Sequence, residues 1–306
     1  MALRVGVIGV GYLGRHHARI FSSLEQTVLA GIADIDAARA GEIAGQYGCR
    51  VFGSHTDLLR ECDAVSIVTP TTTHAAIARD CIRAGKDLFI EKPITDSPDD
   101  ARELIALAQR KNLVLQVGHI ERYNPAVAAV SEIVRNPKFI EAERLSPMLG
   151  RGTDVDVTVD LMIHDIDIVL SLVRSKIREI RATGDSIMTG KIDVAKAWIE
   201  FDNGCKALIT ASRLAPEKSR RLRVHQDDAY ISVDYQSQEI RKYVKAGGEI
   251  TFDVFKAGQK EPLMEELRDF STCVIERRRP TVSGEEALAA LETVIAINGL
   301  IRGDRQ

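Results

Sequence analysis

The sequence predicts an α/β protein in two parts, a doubly wound parallel sheet followed by an α+β domain with a largely antiparallel open sheet. Three observations carry this prediction. An apolar run leads into a glycine-rich turn and a helix, short apolar strands then alternate with helical segments, and longer alternating strands joined by a hairpin follow after about residue 120. At 306 residues the chain is long enough for two domains that each bury a core.

The first element is an apolar strand over 3–10, which leads into a glycine turn and a helix over 15–24. This order is typical of a dinucleotide-binding unit: one glycine permits a tight turn, the next lets a pyrophosphate approach, and the third lets helix pack closely on strand. The free N–H groups of the helix's first turn then face the phosphates. The candidate cofactor contacts in this turn are Gly9, Gly11, Tyr12, Leu13 and Gly14.

A second strand over 28–33 ends at Asp34, which lies about twenty residues beyond the last glycine of the turn. An acidic group there reaches the adenine ribose hydroxyls, so it favours NAD and repels the extra phosphate of NADP. The alternative role of Asp34 is to cap the helix that begins near Ala37, although Asp36 can fill that role instead. The two roles are compatible, and NAD is the expected cofactor.

The following segments alternate between helix and strand, as in a parallel sheet with crossover helices. The strands are short apolar runs, as expected when both faces of the sheet are covered. Ser97 and Pro98, followed by two aspartates, mark a helix start with a capping serine and acidic groups at the positive end of the dipole. This pattern predicts an N-terminal Rossmann domain with helices over 37–47, 74–84 and 99–111 and strands over 64–69, 87–90 and 113–117.

The second part of the chain has a different pattern. Strands over 195–201 and 205–211 are joined by the hairpin turn Asp202-Asn203-Gly204, which predicts an antiparallel sheet. The last helix begins with Ser283 and Glu286 in the spacing of a capping box. Helices are expected over 160–174, 265–277 and 283–302.

The composition excludes several classes of protein. The chain has 41 basic and 44 acidic residues, and this balance argues against a protein whose main partner is nucleic acid. Its five cysteines are scattered and never spaced as Cys-x-x-Cys, which fits reduced thiols in the cytoplasm without structural zinc. No apolar run approaches the roughly 20 residues needed to span a bilayer, so we expect a soluble cytoplasmic protein.

Lys92 is the first candidate for chemistry outside the glycine turn. The run Glu91-Lys92-Pro93 directly follows a strand and therefore lies at the carboxyl edge of the sheet, where doubly wound folds bind ligands. A lysine there can bind a substrate hydroxyl and take part in proton transfer. The alternative is a surface lysine paired with Glu91, with Pro93 ending the strand.

Asp160, His164 and Asp167 form the second candidate, because their spacing places all three on one face of a helix. A carboxylate beside histidine fixes its tautomer and raises its basicity, which suits a base that removes a hydroxyl proton. The alternatives are a polar helical face with a salt-bridged histidine, or a metal site, which lacks a fourth ligand with clear spacing. No metal is expected.

The junction of the two domains holds the third candidate, which contains His119, Arg122 and Asn124. Domain junctions favour ligand clefts, and the arginine with the asparagine suits a polyhydroxylated or anionic substrate. Equally, Asn124 before Pro125 is a plain start for a helix over 126–134. The spacing does not separate these two interpretations.

Taken in order, these motifs resemble the family of glucose-fructose oxidoreductases, inositol dehydrogenases and MocA-like proteins, which are NAD(P)-dependent sugar oxidoreductases. The resemblance covers nearly the whole chain. The matching residues are Gly9-x-Gly11-x-x-Gly14, Thr69-Pro70 with Thr73-His74, Glu91-Lys92-Pro93, Gly118 with Arg122 and Pro125, Asp160-x-x-x-His164-x-x-Asp167, and Ser283-Gly284-Glu285-Glu286.

The resemblance implies roles for these residues. Lys92, Asp160 and His164 would line the sugar site, with Lys92 and His164 sharing the proton relay while hydride passes between a sugar carbon and nicotinamide. The residues implied to lie along the cofactor are Thr69, Pro70, His74, Glu91 and Lys92. The implied substrate contacts are Lys92, His119, Arg122, Asn124, Arg151, Asp160 and His164.

The resemblance also implies a domain organisation. A Rossmann domain over 1–119 would precede an α+β substrate and oligomerisation domain over 120–282, whose open sheet makes subunit contacts. The C-terminal helix over 283–302 would pack back on the first domain. A homodimer or homotetramer is therefore expected.

Within the family, the chain is most similar to the branch of UDP-N-acetylglucosamine 3-dehydrogenases, in residues 118–125 and in the run Arg151-Gly152-Thr153-Asp154. That branch oxidises the sugar 3-hydroxyl to a ketone that an aminotransferase can use. Many relatives carry paired glycines just before the aspartate-histidine helix, whereas this chain has Asp154-Val155-Asp156-Val157-Thr158-Val159.

Several alternatives stay open from the sequence. Arg144, Arg151, Arg213 and Arg221 are hypothetical clamps for a UDP diphosphate, since guanidinium groups suit phosphate oxygens, or else they are surface arginines. A second possible activity is an NAD-dependent dehydrogenase of inositol or a free aldose. A third possibility is a noncatalytic NAD-binding sensor that kept the fold.

Overall fold

Strands and helices alternate through the first part of the chain in the computed structural model, which describes residues 2–148, 152–258 and 260–303. The strands are β1 (Leu3–Ile8), β2 (Thr27–Ala33), β3 (Arg50–Phe52), β4 (Ala64–Ile67), β5 (Asp87–Glu91), β6 (Leu115–Gly118), β7 (Phe139–Leu145), β8 (Ile177–Asp185), β9 (Val194–Phe201), β10 (Lys206–Ser212), β11 (Ser219–Gln226), β12 (Ala229–Asp234), β13 (Glu239–Ala246) and β14 (Glu249–Lys256). The helices are α1 (Gly14–Ser23), α2 (Ala37–Tyr47), α3 (His55–Leu58), α4 (Thr71–Arg83), α5 (Pro98–Arg110), α6 (Pro125–Ile133), α7 (Ile163–Val173), α8 (Pro262–Glu276) and α9 (Gly284–Arg302).

The first sheet has six parallel strands in the order β3-β2-β1-β4-β5-β6. The order reverses between β1 and β4, and ligands of doubly wound sheets bind at the carboxyl ends of the strands where such a reversal occurs. Helices α1 and α8 bring Phe21 and Phe270 into the core, where Phe270 meets the ring edges of Phe21 and Phe89. The predicted doubly wound parallel sheet is confirmed.

The second sheet has eight strands in the order β14-β13-β12-β11-β7-β10-β9-β8. All neighbours are antiparallel except β7 and β10, which run parallel. Residues of β7, β9 and β10 alternate between buried and partly exposed, so one face of the sheet joins a core with α6, α7 and the later part of α9. The largely antiparallel open sheet is confirmed.

The two compact units of the chain differ from the expected domain boundaries. The first unit comprises Met1–Ile120 and Glu261–Leu288, and the second comprises Glu121–Lys260 and Ala289–Gln306. Helix α8 therefore belongs to the first unit, because its apolar side packs on α1 and β5, and not to a domain over 120–282. Most of α9 belongs to the second unit, since Ala290, Val294 and Ile297 join the core there instead of packing back on the first domain.

The local signals read from the sequence largely match the structure. Ser97 accepts a hydrogen bond from Asp100 N at 3.4 Å and caps α5 with Pro98 in the first turn. Glu286 accepts from Ser283 N at 2.9 Å, as a capping box requires. The turn after β9 is closed by Gly204, whose φ is 84°. Elements that the sequence did not predict are β3, α3, β7, β8 and β11 to β14. Of these, β3 and α3 are very short, and most of the others contain several charged residues.

Within the described residues, no helix combines the length and the apolar character that crossing a membrane requires.

Candidate functional site

The glycine turn after β1 satisfies three different steric requirements. Gly9 has a φ of 86°, and a Cβ on it would lie 2.5 Å from the carbonyl oxygen of Val68. A Cβ on Gly14 would lie only 1.9 Å from the carbonyl oxygen of Gly9. By contrast, no heavy atom lies within 4 Å of the Cβ position of Gly11, so this backbone faces open space. A phosphate group can therefore approach the turn at Gly11.

Asp34 fastens this turn to the end of β2. Its Oδ2 accepts a hydrogen bond from Val10 N at 2.6 Å, and its Oδ1 accepts one from Asp36 N at 2.8 Å. The cap of α2 is Asp36, which accepts from Arg39 N. The structure thus gives the capping role to Asp36 and leaves Asp34 beside the glycine turn.

A cavity of about 580 Å³ opens beside the turn in the first unit, a size typical of small-molecule sites. Tyr12 and Leu13 are exposed on the turn itself, with 60% and 44% of their surface accessible. Lining residues that were not predicted from the sequence include Ile35, Arg39 and His55. The lining includes Gly9, Gly11, Asp34, Ile35, Arg39, His55, Thr69 and Pro70.

His74, which was expected along the cofactor, is not among the residues that line this cavity. It is buried, and its ring nitrogens lie 2.9 Å from the carbonyl oxygen of Thr69 and 3.0 Å from that of Pro93. Its ring therefore joins the start of α4 to the chain after β5. Its position supports Thr69, which itself lines the cavity.

Glu91 is the meeting point of three segments at the carboxyl end of the sheet. Its Oε1 lies 3.2 Å from Nε2 of the buried His17, and its Oε2 accepts from Lys92 N at 3.1 Å. A Cβ on Gly118 would lie 2.9 Å from the same carboxylate, so a larger residue there would displace the carboxylate from its partners. The other ring nitrogen of His17 lies 2.9 Å from Ser66 Oγ.

The charge state of Glu91 follows from these contacts. Burial by itself raises the pKa of its carboxyl, but the contact with His17 and the charge and backbone N–H of Lys92 lower that pKa below its ordinary value. Glu91 is therefore a carboxylate beside Lys92. His17 was not predicted from the sequence, although a histidine three residues after Gly14, in the helix that follows the glycine turn, is a candidate partner for a carboxylate at the sheet edge.

Asp160 and His164 lie in the second unit at an irregular helix start. Residues Thr158–Met162 form a π-helical turn that contains Asp160, and α7 begins directly after it with His164 in its first turn. Such turns are frequent at functional sites. Both side chains are half-buried. The carboxylate of Asp160 lies against the backbone of Gly152, where a Cβ would come within 2.7 Å of its Oδ2.

Asp167 does not share the surroundings expected for it. It is buried and lies 3.4 Å from Arg122 Nη1. Its neighbour Asp165 is also buried and binds Arg144 through two bonds of 2.9 and 3.1 Å. Burial raises the pKa of Asp165, although the charge of Arg144 opposes that effect. These contacts hold α7 in place. They also give Asp167, Arg122 and Arg144, which were candidate ligand contacts in the sequence, partners within the protein.

Of the expected substrate contacts near residue 120, Arg122 and Asn124 have partners within the second unit. Asn124 is buried and caps α6, accepting from Ala126 N at 3.0 Å and donating to the carbonyl oxygen of Tyr235 at 3.3 Å. Arg122 is the ion-pair partner of Asp167. His119 is buried, with 1% of its surface accessible. For Asn124, the interpretation as a plain helix start is the one that the structure bears out.

The hypothetical diphosphate clamps have other partners. Arg144 is buried and also donates to Glu121 at 2.8 Å. Arg213 is buried and donates to the carbonyl oxygens of Gly152 and Val155. Arg221 lies 3.8 Å from Asp234 at the surface. Arg151 lies outside the described residues. Within the described residues, no cluster of three or more His, Cys, Asp or Glu side chains is arranged to hold a metal.

Two family models match the chain. The first, an oxidoreductase family with an NAD-binding Rossmann fold, matches residues 3–119. The second, the GFO/IDH/MocA C-terminal domain, matches residues 135–232. The two matches divide the chain at the same place as the change in its strand pattern.

Full-length relatives are dehydrogenases. The chain is 39% identical to the UDP-N-acetylglucosamine 3-dehydrogenase of Acidithiobacillus ferrooxidans, over 98% of this chain and 99% of the relative. A solved structure of that enzyme aligns with a TM-score of 0.94 over 99% of both chains, at 38% identity. The chain is also 27% identical to the NAD(+)-dependent scyllo-inositol 2-dehydrogenase of Bacillus subtilis, over 98% of this chain and 94% of the relative.

Two substitutions in the glycine turn test its role, and the effects of Gly14→Ala serve as the control for those of Gly11→Ala. Gly11→Ala should change the free energy of unfolding by no more than about 0.5 kcal/mol, because its methyl group meets open space. It should weaken NAD binding by about tenfold or more, since the methyl occupies the path of the pyrophosphate. Gly14→Ala should instead destabilise the first unit by about 3 kcal/mol. Urea unfolding and calorimetric titration with NAD measure both effects, and unchanged NAD affinity of Gly11→Ala would contradict this interpretation of the turn.

Proposed function

This chain belongs to the GFO/IDH/MocA family of oxidoreductases, and from that membership we propose that it is an NAD-dependent dehydrogenase that oxidises the 3-hydroxyl of UDP-N-acetylglucosamine to a ketone. The observation that carries the choice of sugar is the 39% identity to an enzyme of that name over 98% of the chain. The inositol dehydrogenases are less similar, so an inositol or a free aldose is the second candidate substrate.

The residues of the first unit fit a dinucleotide. Open space at Gly11 suits the pyrophosphate, and the carboxylate of Asp34 stands where ribose hydroxyls bind in such folds. Thr69 and Pro70 line the same cavity. When bound, NAD supplies the acceptor for the hydride that leaves the sugar carbon.

We assign the proton chemistry to three side chains. Lys92 follows β5 at the carboxyl edge of the sheet, and its backbone N donates to the carboxylate of Glu91. His164, in the first turn of α7, is the candidate partner of Lys92 in removing the hydroxyl proton. Asp160, four residues earlier, is the candidate for setting the tautomer of His164.

The test of this proposal is NADH formation with a panel of UDP-N-acetylglucosamine, UDP-N-acetylgalactosamine, UDP-glucose, free sugars and inositols. A carbonyl trap draws the unfavourable oxidation forward. We expect turnover with UDP-N-acetylglucosamine and a 3-keto product by NMR. Turnover with an inositol instead would select the second candidate, and NAD binding without turnover on any compound would indicate a noncatalytic sensor.

The proton relay is tested by substitution. Lys92→Ala and His164→Ala should each lower kcat by about two orders of magnitude or more, the usual contribution of a placed acid-base group. NAD affinity should change little. The matched control is Lys138→Ala, because Lys138 is an exposed lysine that lies 3.3 Å from the surface carboxylate of Asp227. Undiminished turnover in both relay variants would refute the assignment.

We also propose that the enzyme prefers NAD to NADP, because the negative charge of Asp34 opposes a ribose 2′-phosphate. Asp34→Ser should raise the KM for NAD by about tenfold and should increase the NADP-to-NAD ratio of kcat/KM. Asp36→Ala is the control, since it removes the cap of α2 and leaves the carboxylate of Asp34 in place. An unchanged ratio in Asp34→Ser would argue against this origin of the preference.

The second sheet supports a proposal about assembly. Aromatic and imidazole rings form a continuous row over paired positions of β7, β11, β12, β13 and β14. An extended apolar surface of this kind marks an interaction site. The face also carries charges of both signs, such as Arg223 beside Glu141 and Arg221 beside Asp234, so it can meet a copy of itself. The row consists of Phe139, His225, Tyr230, Tyr243 and Phe252.

We therefore propose a homodimer or homotetramer that uses this face. Phe252→Glu should lower the mass measured by light scattering, because it places a charge on the row beside Tyr243. Phe255→Glu is the control: Phe255 pairs with the buried Ile240, so its side chain points to the other face of the strand. A native mass equal to one chain would contradict the proposal.

The cellular setting is also a proposal. All five cysteines are free thiols, a state that a reducing cytoplasm maintains, and we place the enzyme there. The proposed 3-keto product is a substrate for an aminotransferase, which would be its downstream partner.

A further inference from the structure

Arg213 follows β10 and belongs to the second unit. Only 5% of its surface is accessible, which is unusual for an arginine. Its Nη1 donates to the carbonyl oxygen of Gly152 and its Nη2 to that of Val155, each at 2.7 Å. A planar guanidinium with its donors used on two backbone carbonyls holds those two residues at a fixed separation.

Arg213 is itself held firmly. Its backbone N donates to the carbonyl oxygen of Asp193 at 3.0 Å, and its Nε lies 3.8 Å from Asp193 Oδ1. The Asp193 carboxylate accepts from the backbone N–H groups of Ile187, Met188 and Thr189. Although burial opposes ionisation, the bonds from Thr189 and its neighbours lower the pKa of Asp193 to about 2, so the carboxylate is charged beside Arg213.

The two carbonyls belong to the segment that supports Asp160. Gly152 has a φ of 69°, and a Cβ on it would lie 2.7 Å from Asp160 Oδ2. The backbone at Gly152 therefore forms a wall of the space that the Asp160 carboxylate occupies. Residues 152–155 have no helix or strand of their own, so their position depends on the bonds from Arg213.

The other end of this segment has separate anchors. Asp156 Oδ1 accepts from Ile192 N at 3.0 Å, and Val157 N donates to the carbonyl oxygen of Ile192 at 2.8 Å. The π-helical turn Thr158–Met162 follows directly. The segment is thus held at Gly152 and Val155 by Arg213, and just after them by the hydrogen bonds to Ile192.

We propose that Arg213 is a positioning residue for the dehydrogenation: it holds Gly152 and Val155 so that the carboxylate of Asp160 keeps its place for the reaction. This inference rests on the proposed function, which assigns Asp160 to the site. Arg213 acts through Asp160 and does not bind the UDP diphosphate.

The experiment is a double-mutant cycle on kcat with UDP-N-acetylglucosamine and NAD. Arg213→Met removes the fork and keeps an apolar side chain, and we expect it to lower kcat by about tenfold to a hundredfold, the effect of a small misplacement in a site. Gly152→Ala should cause a similar loss, because its methyl group would push directly against the carboxylate of Asp160. In an Asp160→Ala background neither change should lower kcat further, because both act through that carboxylate.

Two further measurements separate positioning from general loss of structure. Thermal unfolding and NAD affinity report on the fold and on the first unit, and NAD affinity should be unchanged in each variant. The matched control is Arg135→Met, because Arg135 is an exposed arginine that also donates to a backbone carbonyl, that of Val134 at 3.0 Å. That variant should keep full turnover.

The outcomes distinguish this inference from the function on which it rests. Full turnover of Asp160→Ala overturns the assignment of Asp160 and this inference with it. A loss in Asp160→Ala, together with unchanged turnover in Arg213→Met or with losses that multiply in the double variant, overturns the inference alone. If Arg213→Met does not fold, Arg213→Lys, which keeps the charge and removes the two-pronged contact with Gly152 and Val155, and its double variant with Asp160→Ala give the same decision.

Discussion

A charged side chain that is buried requires partners of opposite charge, and in the second unit this requirement determines the packing around Arg144. Its guanidinium is 2% exposed and binds Asp165 with two bonds and Glu121 with a third. Removing one member of such a buried group costs about 3–5 kcal/mol, because an uncompensated charge remains. The group connects β7, the turn before α6 and helix α7. Since His164 is the residue before Asp165, the pairing that stabilises this unit also anchors the first turn of α7, which carries the proposed proton acceptor.

The same constraint acts at the carboxyl edge of the first sheet. Glu91 is paired with the buried His17, and its second oxygen accepts from the backbone of Lys92. The carboxylate therefore couples the helix that follows the glycine turn to the residue that carries the proposed proton chemistry. In both units the charged groups nearest the proposed chemistry are parts of the fold's own pairing, so their geometry is set before any ligand binds. Such preorganisation is what a site for proton and hydride transfer requires.

The sequence predicted the features that local chemistry determines. The glycine turn, the caps at Ser97 and Asp36 and the hairpin at Gly204 each depend on a few neighbouring residues, and each has the expected form. It could not show which polar side chains face a ligand. Arg122, Asn124 and Arg213 have partners 45 to 111 positions away in the chain, and no spacing rule encodes such pairs. Strands β11, β13 and β14 were missed because charged residues occupy much of their length, and only the sheet around them makes them extended.

The aspartate-histidine helix shows how a small departure from regular geometry changes the interpretation of a motif. The spacing of Asp160, His164 and Asp167 places them on one face only if the whole segment is α-helical, at 3.6 residues per turn. The π-helical turn over Thr158–Met162 winds differently, so the residues before and after it no longer share the phase of one α-helix. Asp167 lies in the regular part of α7 and pairs with Arg122, while Asp160 lies in the π-helical turn beside Gly152. The bonds from Arg213 and Ile192 anchor the segment that leads into this turn, which has no helix or strand of its own to hold it.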